Sequence, residues 1–194
     1  MLHTLKEENY NKKKEKIMKT CFDTFCKYGL AETSVNRLAE ACKMSRGNFY
    51  NYFKNLDDLI IQSTSFCMTK VDEEVLKKAP TCPEEIEEFL GKIPTWACKK
   101  YGKKYRTMYQ IYTHPKYYKE GKKFYEEANK RYQKYAEELE RTLKIPSEII
   151  APLIFVFAVA VTNYSLFEDN FYLETQMKIL NDGIKVYYQN HHVL

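Results

Sequence analysis

A chain of 194 residues, 44% hydrophobic and 29% charged, has the composition of an ordinary soluble protein and can bury a sizeable core, as one large domain or two small ones. Its formal net charge of +5 is unevenly spread: residues 1–56 hold eleven Lys and Arg against six Asp and Glu, while residues 57–194 hold twenty of each. That asymmetry disfavours a protein coated with basic charge and favours a basic module on a neutral body.

Only six Gly and six Pro among 194 residues argue for long helices and few tight turns. The six cysteines, at 21, 26, 42, 67, 82 and 98, show no CxxC pair and no His spacing suited to zinc, so no metal is expected. With Lys6, Glu7, Glu8 and Asn9 in place of a signal peptide, reduced thiols in a cytoplasmic protein are the natural reading. The longest apolar run, Ile149 to Val161, is broken by Pro152 and is shorter than the roughly 18 residues of a spanning helix, so no membrane segment is expected.

Residues 1–11 are polar and read as frayed or loosely helical. From Lys12 to Tyr28 the apolar positions Ile17, Cys21, Phe25 and Tyr28 mark a first helix, and Gly29 stands where a C′ glycine belongs. Thr33 reads as the N-cap of a second, short helix whose apolar face is Val35, Leu38, Ala39 and Cys42. Ser45 reads as a second N-cap, with Met44 before it placed to touch Phe49 four positions into the next helix. Helix, tight turn, helix is the arrangement that lays a recognition helix in the major groove of DNA, with its first residues at the base edges.

Here those residues are Arg46, Gly47 and Asn48. Arg can fork onto guanine and Asn onto adenine, each good bidentate contact giving roughly 1–3 kcal/mol of discrimination. Gly47 costs about 1 kcal/mol inside a helix but allows backbone to come close to a partner. Tyr50 and Lys54, one helical turn apart, are placed for phosphate contacts, which fix register. The expected DNA-contacting set is Thr33, Ser34, Asn36, Arg46, Gly47, Asn48, Tyr50, Asn51, Tyr52 and Lys54.

Gly29, Thr33-Ser34-Val35, Leu38-Ala39, Ser45-Arg46-Gly47-Asn48-Phe49-Tyr50 and Tyr52-Phe53-Lys54 together closely resemble the signature segment of the TetR family of bacterial transcriptional regulators, over about Ile17 to Ile61. The resemblance implies an all-α homodimer: an N-terminal three-helix helix-turn-helix domain, here 1–56, that binds a palindromic operator, and a C-terminal helical domain, here 57–194, for effector binding and dimerisation. Many members carry a Lys two positions after the one matching Lys54. This chain has Leu56 there, so a phosphate contact is expected to be missing.

Asn55 reads as the N-cap of a fourth helix with Asp57 and Asp58 in its first turn, where the helix dipole favours negative charge. After a break at Ala79 to Pro83, Pro83 starts a helix carrying Trp96, Tyr101, Tyr105, Met108, Tyr109 and Tyr112 mostly on one face. His114-Pro115 ends it. The next helix, Gly121 to Lys144, carries a second stripe including Tyr125 and Tyr132. These stripes suit either core or the lining of a cavity for an apolar or aromatic ligand, since Tyr supplies both ring and polar tip.

Ser147 reads as the cap of a helix to about Glu168, apolar nearly all round and so expected to be buried all round, with a kink at Pro152. The last helix, about Leu173 to Tyr188, carries Leu173, Met177, Leu180, Ile184 and Tyr187 at alternating steps of four and three, a seam for helix packing. The resemblance makes these two helices the dimer contact, with Phe157, Val161, Met177, Leu180, Ile184 and Tyr187 expected in it.

A sequence-specific transcriptional regulator, most simply a repressor released by a small effector, is the reading these features favour. A non-specific nucleoid-type DNA-binding protein is the alternative, set against by the neutral body. An enzyme is a further one, set against by the absence of a nucleophile motif, a phosphate-cradling Gly loop or metal-ligand spacing. No cofactor is expected.

Overall fold

The computed structural model describes residues 2–192, with side chains from residue 6 onward. Among the described residues the chain is all-helical. Eight α-helices run α1 (Leu2–Tyr28), α2 (Val35–Ala41), α3 (Arg46–Phe49), α4 (Leu56–Leu76), α5 (Ile86–Tyr112), α6 (Tyr118–Leu143), α7 (Ser147–Phe167) and α8 (Asn170–Asn190). One-turn 3-10 segments lead into α5 and α6, at Pro83–Glu85 and Pro115–Tyr117.

The first module is built on α1, which buries Ile17, Met18, Cys21, Phe22 and Phe25 against α2 and α4. The helix starts ten residues earlier than Lys12. Residues 2–11 hold no Gly or Pro, and Tyr10 anchors them: its ring stacks on Tyr52 at 4.9 Å and its hydroxyl donates to the Asn51 carbonyl at 3.1 Å. Met1, included in the stretch expected to fray, lies outside the described residues. Gly29 takes φ +80° and its N–H bonds the Phe25 carbonyl at 2.8 Å, the αL cap expected.

Two caps differ from the sequence reading. Ser34, not Thr33, caps α2, accepting from the Arg37 N–H at 3.3 Å, while Thr33 is buried and donates to the Gly29 carbonyl at 2.5 Å. Pro146, not Ser147, stands before α7; the buried Ser147 gives its N–H to the Glu140 carboxylate at 3.2 Å. The caps at Ser45 and Asn55 are as expected, accepting from Asn48 N–H at 3.2 Å and Asp58 N–H at 2.8 Å.

In the body, α7 packs along both α5 and α6, and α8 closes against α5 and α7. α6 begins at Tyr118 rather than Gly121, because the 3-10 turn after His114 leads straight into it. Gly121 lets α6 settle onto α5: a Cβ there would lie 2.7 Å from Tyr112 Cβ. α8 begins at Asn170, three residues before Leu173, because Asp169 caps it through the Tyr172 N–H at 3.1 Å.

α7 is not buried all round. Phe157, Ala160 and Val161 face the core, whereas Ile149, Val156, Val159 and Phe167 are exposed. At 21 residues and a mean hydropathy of 2.0 in its most apolar window, α7 is long and apolar enough to cross a membrane by those two measures. The run to Val161 understated it, since uncharged residues continue through Phe167. Its apolar residues thus lie on two faces, one packed inside the chain and one exposed.

Candidate functional site

The first candidate surface is the α2–α3 turn. The Cys42 N–H closes the last bond of α2 onto the Leu38 carbonyl, Lys43 turns the chain through φ +53°, and Ser45 caps α3. Arg46 and Gly47 stand exposed, Asn48 half-buried, and Phe49 buried beneath them against Phe53, with ring centroids 5.6 Å apart. A Cβ on Gly47 would meet nothing within 4 Å. The apolar residues thus hold a one-turn helix whose leading side chains face solvent.

α3 ends at Phe49 with Tyr50 as C-cap, so Tyr50 and Lys54 are not on one helix. The chain continues through three-residue turn bonds, Asn51 N–H to Asn48 O at 3.3 Å and Tyr52 N–H to Phe49 O at 3.1 Å. Lys54 then gives its N–H to the Asp58 carboxylate at 2.9 Å. Ser34, Asn36, Tyr50, Asn51 and Lys54 are exposed. Asn51 donates through its side chain to Asn48 Oδ1 at 3.1 Å, which orients Asn48 and leaves its amide nitrogen free to donate. Thr33, buried and bonded to Gly29, has no surface to offer, and half-buried Tyr52 is held by Tyr10. Leu56 packs on the core, which accounts for an apolar residue there.

One part of this face, the Lys-rich stretch of α1, was expected to graze the DNA backbone but stood outside the expected contact set. Lys13, Lys16 and Thr20 of α1 line an open groove together with Lys43, Ser45 and Asn48. Lys13 and Lys14 lie over the rings of Tyr52 and Phe53, at 5.9 and 5.5 Å. Lysines spaced by three on one helix were visible in the sequence; which turn they border depends on packing between helices.

The second candidate is a cleft of about 470 Å³ between α5 and α6, floored by α4 and α7. It brings together Tyr105, Met108, Tyr109, Tyr112, Tyr125 and Tyr132 of the expected ligand set. Trp96 and Tyr101 lie elsewhere. Trp96 sits between the ammonium groups of Lys78 and Lys100, at 4.7 and 5.1 Å, and Tyr101 turns edge-on to it and bonds Glu74 through its hydroxyl. Trp96 stands about half a turn round α5 from Tyr105, and Tyr101, one turn before Tyr105 on the same face, gives its hydroxyl to Glu74 of α4.

The cleft floor carries charge. Asp72 pairs with Arg131 at 3.1 Å, yet burial pushes its carboxyl up to about 6. The same burial, chiefly, raises the Tyr105, Tyr112 and Tyr132 hydroxyls, so all three remain neutral donors. Tyr112 Oη and Arg131 Nε are buried without a hydrogen-bond partner among the described residues. Two unused donors beside an aromatic cleft suit a ligand with an oxygen acceptor on an apolar frame. A smaller cavity of about 90 Å³, lined only by apolar residues including Leu76, Phe89, Ile154, Phe157, Leu180 and Ile184, lies between α4, α5, α6, α7 and α8. No group of three or more potential metal ligands occurs among the described residues.

The expected dimer residues face inward. Phe157, Val161 and Met177 are buried, and Leu180, Ile184 and Tyr187 pack half-buried against the core. The exposed apolar face is rotated from them: Ile149, Val156, Val159 and Phe167 on α7, and Phe171, Tyr172, Ile179 and Val186 on α8. The stronger periodic stripe on α8 serves its own chain, and the weaker one is left on the surface.

Residues 17–62 match the family model of the bacterial regulatory proteins, tetR family, a span from the first core residue of α1 to the second turn of α4. An uncharacterized HTH-type transcriptional regulator of Bacillus subtilis, YerO, is 32% identical over 88 residues, covering 42% of this chain and 30% of the relative. The N-terminal segment of this chain, residues 17–62, is TetR-like. The chain spans less than a third of the length of the curated relatives it matches. A TetR-family fold also extends over the body: a putative TetR-family transcriptional regulator from Mesorhizobium loti superposes with a TM-score of 0.67 at 13% identity, covering 92% of this chain and 97% of that one. FadR from Bacillus subtilis, in complex with stearoyl-CoA, superposes with a TM-score of 0.54 at 14% identity, covering 87% and 95%.

Proposed function

We propose that this TetR-family chain is a cytoplasmic, homodimeric, sequence-specific transcriptional regulator, a repressor that leaves a palindromic operator when a small ligand fills the α5–α6 cleft. The observation that carries the reading is the capped α2–α3 turn. It presents Arg46, Gly47 and the Asn48–Asn51 pair to solvent on a module that holds the whole net positive charge of the chain. Arg46 and Asn48 read base edges, Lys13, Lys16, Lys43 and Lys54 hold phosphates, and Ser34, Asn36 and Tyr50 border the contact. Residues 1–56 act as the reader and 57–194 as the body.

The dimer forms through the exposed apolar face of α7 and α8. Tyr172, Ile179, Gly183 and Val186 fall at steps of seven, four and three along α8, and Ile149, Val156 and Phe167 are exposed on α7. The spacing is that of a helix-packing seam, and such a patch on a soluble chain is the sort that a second subunit covers.

The ligand is apolar or aromatic with an oxygen acceptor. A cleft of about 470 Å³ lies in the ordinary range for such molecules. A long acyl group is a second reading, favoured by the all-apolar cavity among α4, α5, α6, α7 and α8 and by the stearoyl-CoA held by the FadR neighbour. Release requires that the ligand prefer the conformation that fits DNA poorly. The chain needs no catalytic group or cofactor for this role.

A mobility-shift titration with inverted repeats from DNA flanking the chain's own gene tests the proposal. A shift on such a repeat that withstands excess random DNA is expected. Equal affinity for both would place the chain with non-specific binders instead.

A further inference from the structure

Of the six cysteines, Cys21 and Cys42 face each other across α1 and the end of α2 with their sulfurs 3.6 Å apart. The others are apart from this pair: Cys67 and Cys98 donate to the backbone carbonyls of Met18 and Val161, at 3.9 and 3.8 Å. The two members of the pair are unlike. Cys21 has no exposed surface, while Cys42 is half-buried and opens onto the groove lined by Lys13, Lys16, Thr20 and Lys43. The bond between them holds the Cys42 thiol below its ordinary range and, together with burial, pushes Cys21 up. The accessible sulfur is therefore the better nucleophile.

Closing the pair to a disulfide of about 2.05 Å draws the sulfurs together by roughly 1.5 Å. Cys21 sits inside a 27-residue helix, packed on all sides. Cys42 is the C-cap of a seven-residue helix, one residue before the positive-φ Lys43 and three before the cap of α3. The movement falls on the Cys42 side and is passed to the α2–α3 turn.

We propose that Cys21 and Cys42 are a hydroperoxide-responsive disulfide switch that displaces the α2–α3 turn, and that its effect on DNA affinity rests on the DNA-binding reading above. The Cys42 thiolate attacks one oxygen of the hydroperoxide, the O–O bond breaks, and the departing oxygen takes a proton to leave as water or an alcohol. Cys42 is left as a sulfenic acid. The Cys21 sulfur then attacks the Cys42 sulfur, the S–O bond breaks, and hydroxide leaves with the Cys21 proton as a second water. Two thiols lose two electrons, and the hydroperoxide gains them. Burial of Cys21 keeps it unreactive until Cys42 has been oxidised.

The test treats the full chain with hydrogen peroxide, maps non-reduced peptides by mass, and measures amide hydrogen exchange across residues 43–49 before and after dithiothreitol. The expected result is a peptide bearing Cys21 linked to one bearing Cys42, two hydrogens lighter, with faster exchange in that segment that dithiothreitol reverses. Cys42→Ser, at a half-exposed position, and Cys21→Ala should each abolish both changes while keeping the helical circular dichroism of the parent. A link between other cysteines, Cys42 oxidised to sulfinic acid without a link, or a Cys21–Cys42 link with unchanged exchange would each overturn the proposal. Operator affinity of the oxidised chain should be about tenfold weaker or worse, the loss of one base contact. A chain that links and exchanges as expected but binds no operator even when reduced would keep the switch and remove the DNA-binding reading.

Discussion

Tyr117 donates its hydroxyl to Asp57 Oδ1 at 2.7 Å, and Lys116 reaches the same oxygen at 2.6 Å. Asp57 is in the first turn of α4, directly after the reader; Tyr117 is in the turn joining α5 to α6, whose ends wall the tyrosine cleft. A second tie, Lys104 to Asp23 at 3.1 Å, joins α5 to α1. Under the proposed function, a ligand that parts α5 from α6 would pull on the base of the reader through these bonds.

Tyr117→Phe removes one donor from that junction and is expected to cost about 1 kcal/mol of stability. The Lys116 and Tyr117 bonds hold the Asp57 carboxyl below its ordinary range. A depressed folded pKa gives stability that is present above the unfolded value and lost as pH falls through the folded one. The variant should therefore move the Asp57 titration upward, read by carbon-detected NMR, and shrink the acid-side loss of stability. An unmoved titration would remove Tyr117 from the link.

Base and phosphate contacts should separate by their salt dependence. Arg46→Ala and Asn48→Ala are expected to relax preference at particular base pairs, each costing roughly 1–3 kcal/mol on the operator. Lys43→Ala and Lys54→Ala should weaken all DNA alike and lower the salt slope by about one. Asn51→Ala frees Asn48 and should resemble a mild Asn48→Ala. Identical behaviour of all five on specific and random DNA would undo these roles.

Lys43 combines two effects that one substitution separates. Its φ of +53° favours glycine, so Lys43→Gly should raise stability by roughly 1 kcal/mol while weakening DNA binding through the lost charge. Urea unfolding and a binding titration on the same variant give the two signs. A loss of stability would mean that the lysine side chain holds the turn.

Asp72 should make the fold gain stability as the solution is acidified through the mild range. Its carboxyl, pushed up to about 6 by burial, is raised above its ordinary value in the folded state. That stabilising contribution is fully present below the unfolded pKa and lost as pH rises through about 6. The stability of the parent relative to Asp72→Asn should therefore rise between pH 7 and pH 4, in urea titrations. A flat difference would place the Asp72 titration outside that window.

The inward and outward faces of α8 give opposite phenotypes. Ile179→Lys and Val186→Lys, at 67% and 52% exposed positions, should leave a folded monomer by sedimentation at micromolar concentration. Met177→Lys, at a 5% exposed position, buries an unpaired charge and should unfold the chain. An unchanged mass for the two surface variants would remove this face as the subunit contact.

The reader was legible in the sequence because its signals are local. The caps at Ser45 and Asn55, the αL glycine and the buried Phe49 each follow from neighbours a few residues away. What was missed depends on distant packing. Tyr10 stabilises the start of α1 only by meeting Tyr52, and Tyr101 leaves the cleft because its hydroxyl meets Glu74 of α4. The α8 stripe with the clearer spacing went to the intrachain core, and periodicity alone does not tell which of two apolar faces meets a partner. Thr33 and Ser34 are both capping residues side by side, and only the Gly29 carbonyl beneath Thr33 decides between them.

The most direct test of the whole account is a competition titration of the reduced chain on the inverted repeat flanking its own gene, with parent and Arg46→Ala side by side. The account predicts that the parent prefers the repeat over random DNA by orders of magnitude, and that Arg46→Ala loses most of that preference while keeping its random-DNA affinity. A parent that binds both DNAs equally, or an Arg46→Ala chain that keeps its full preference, would contradict it.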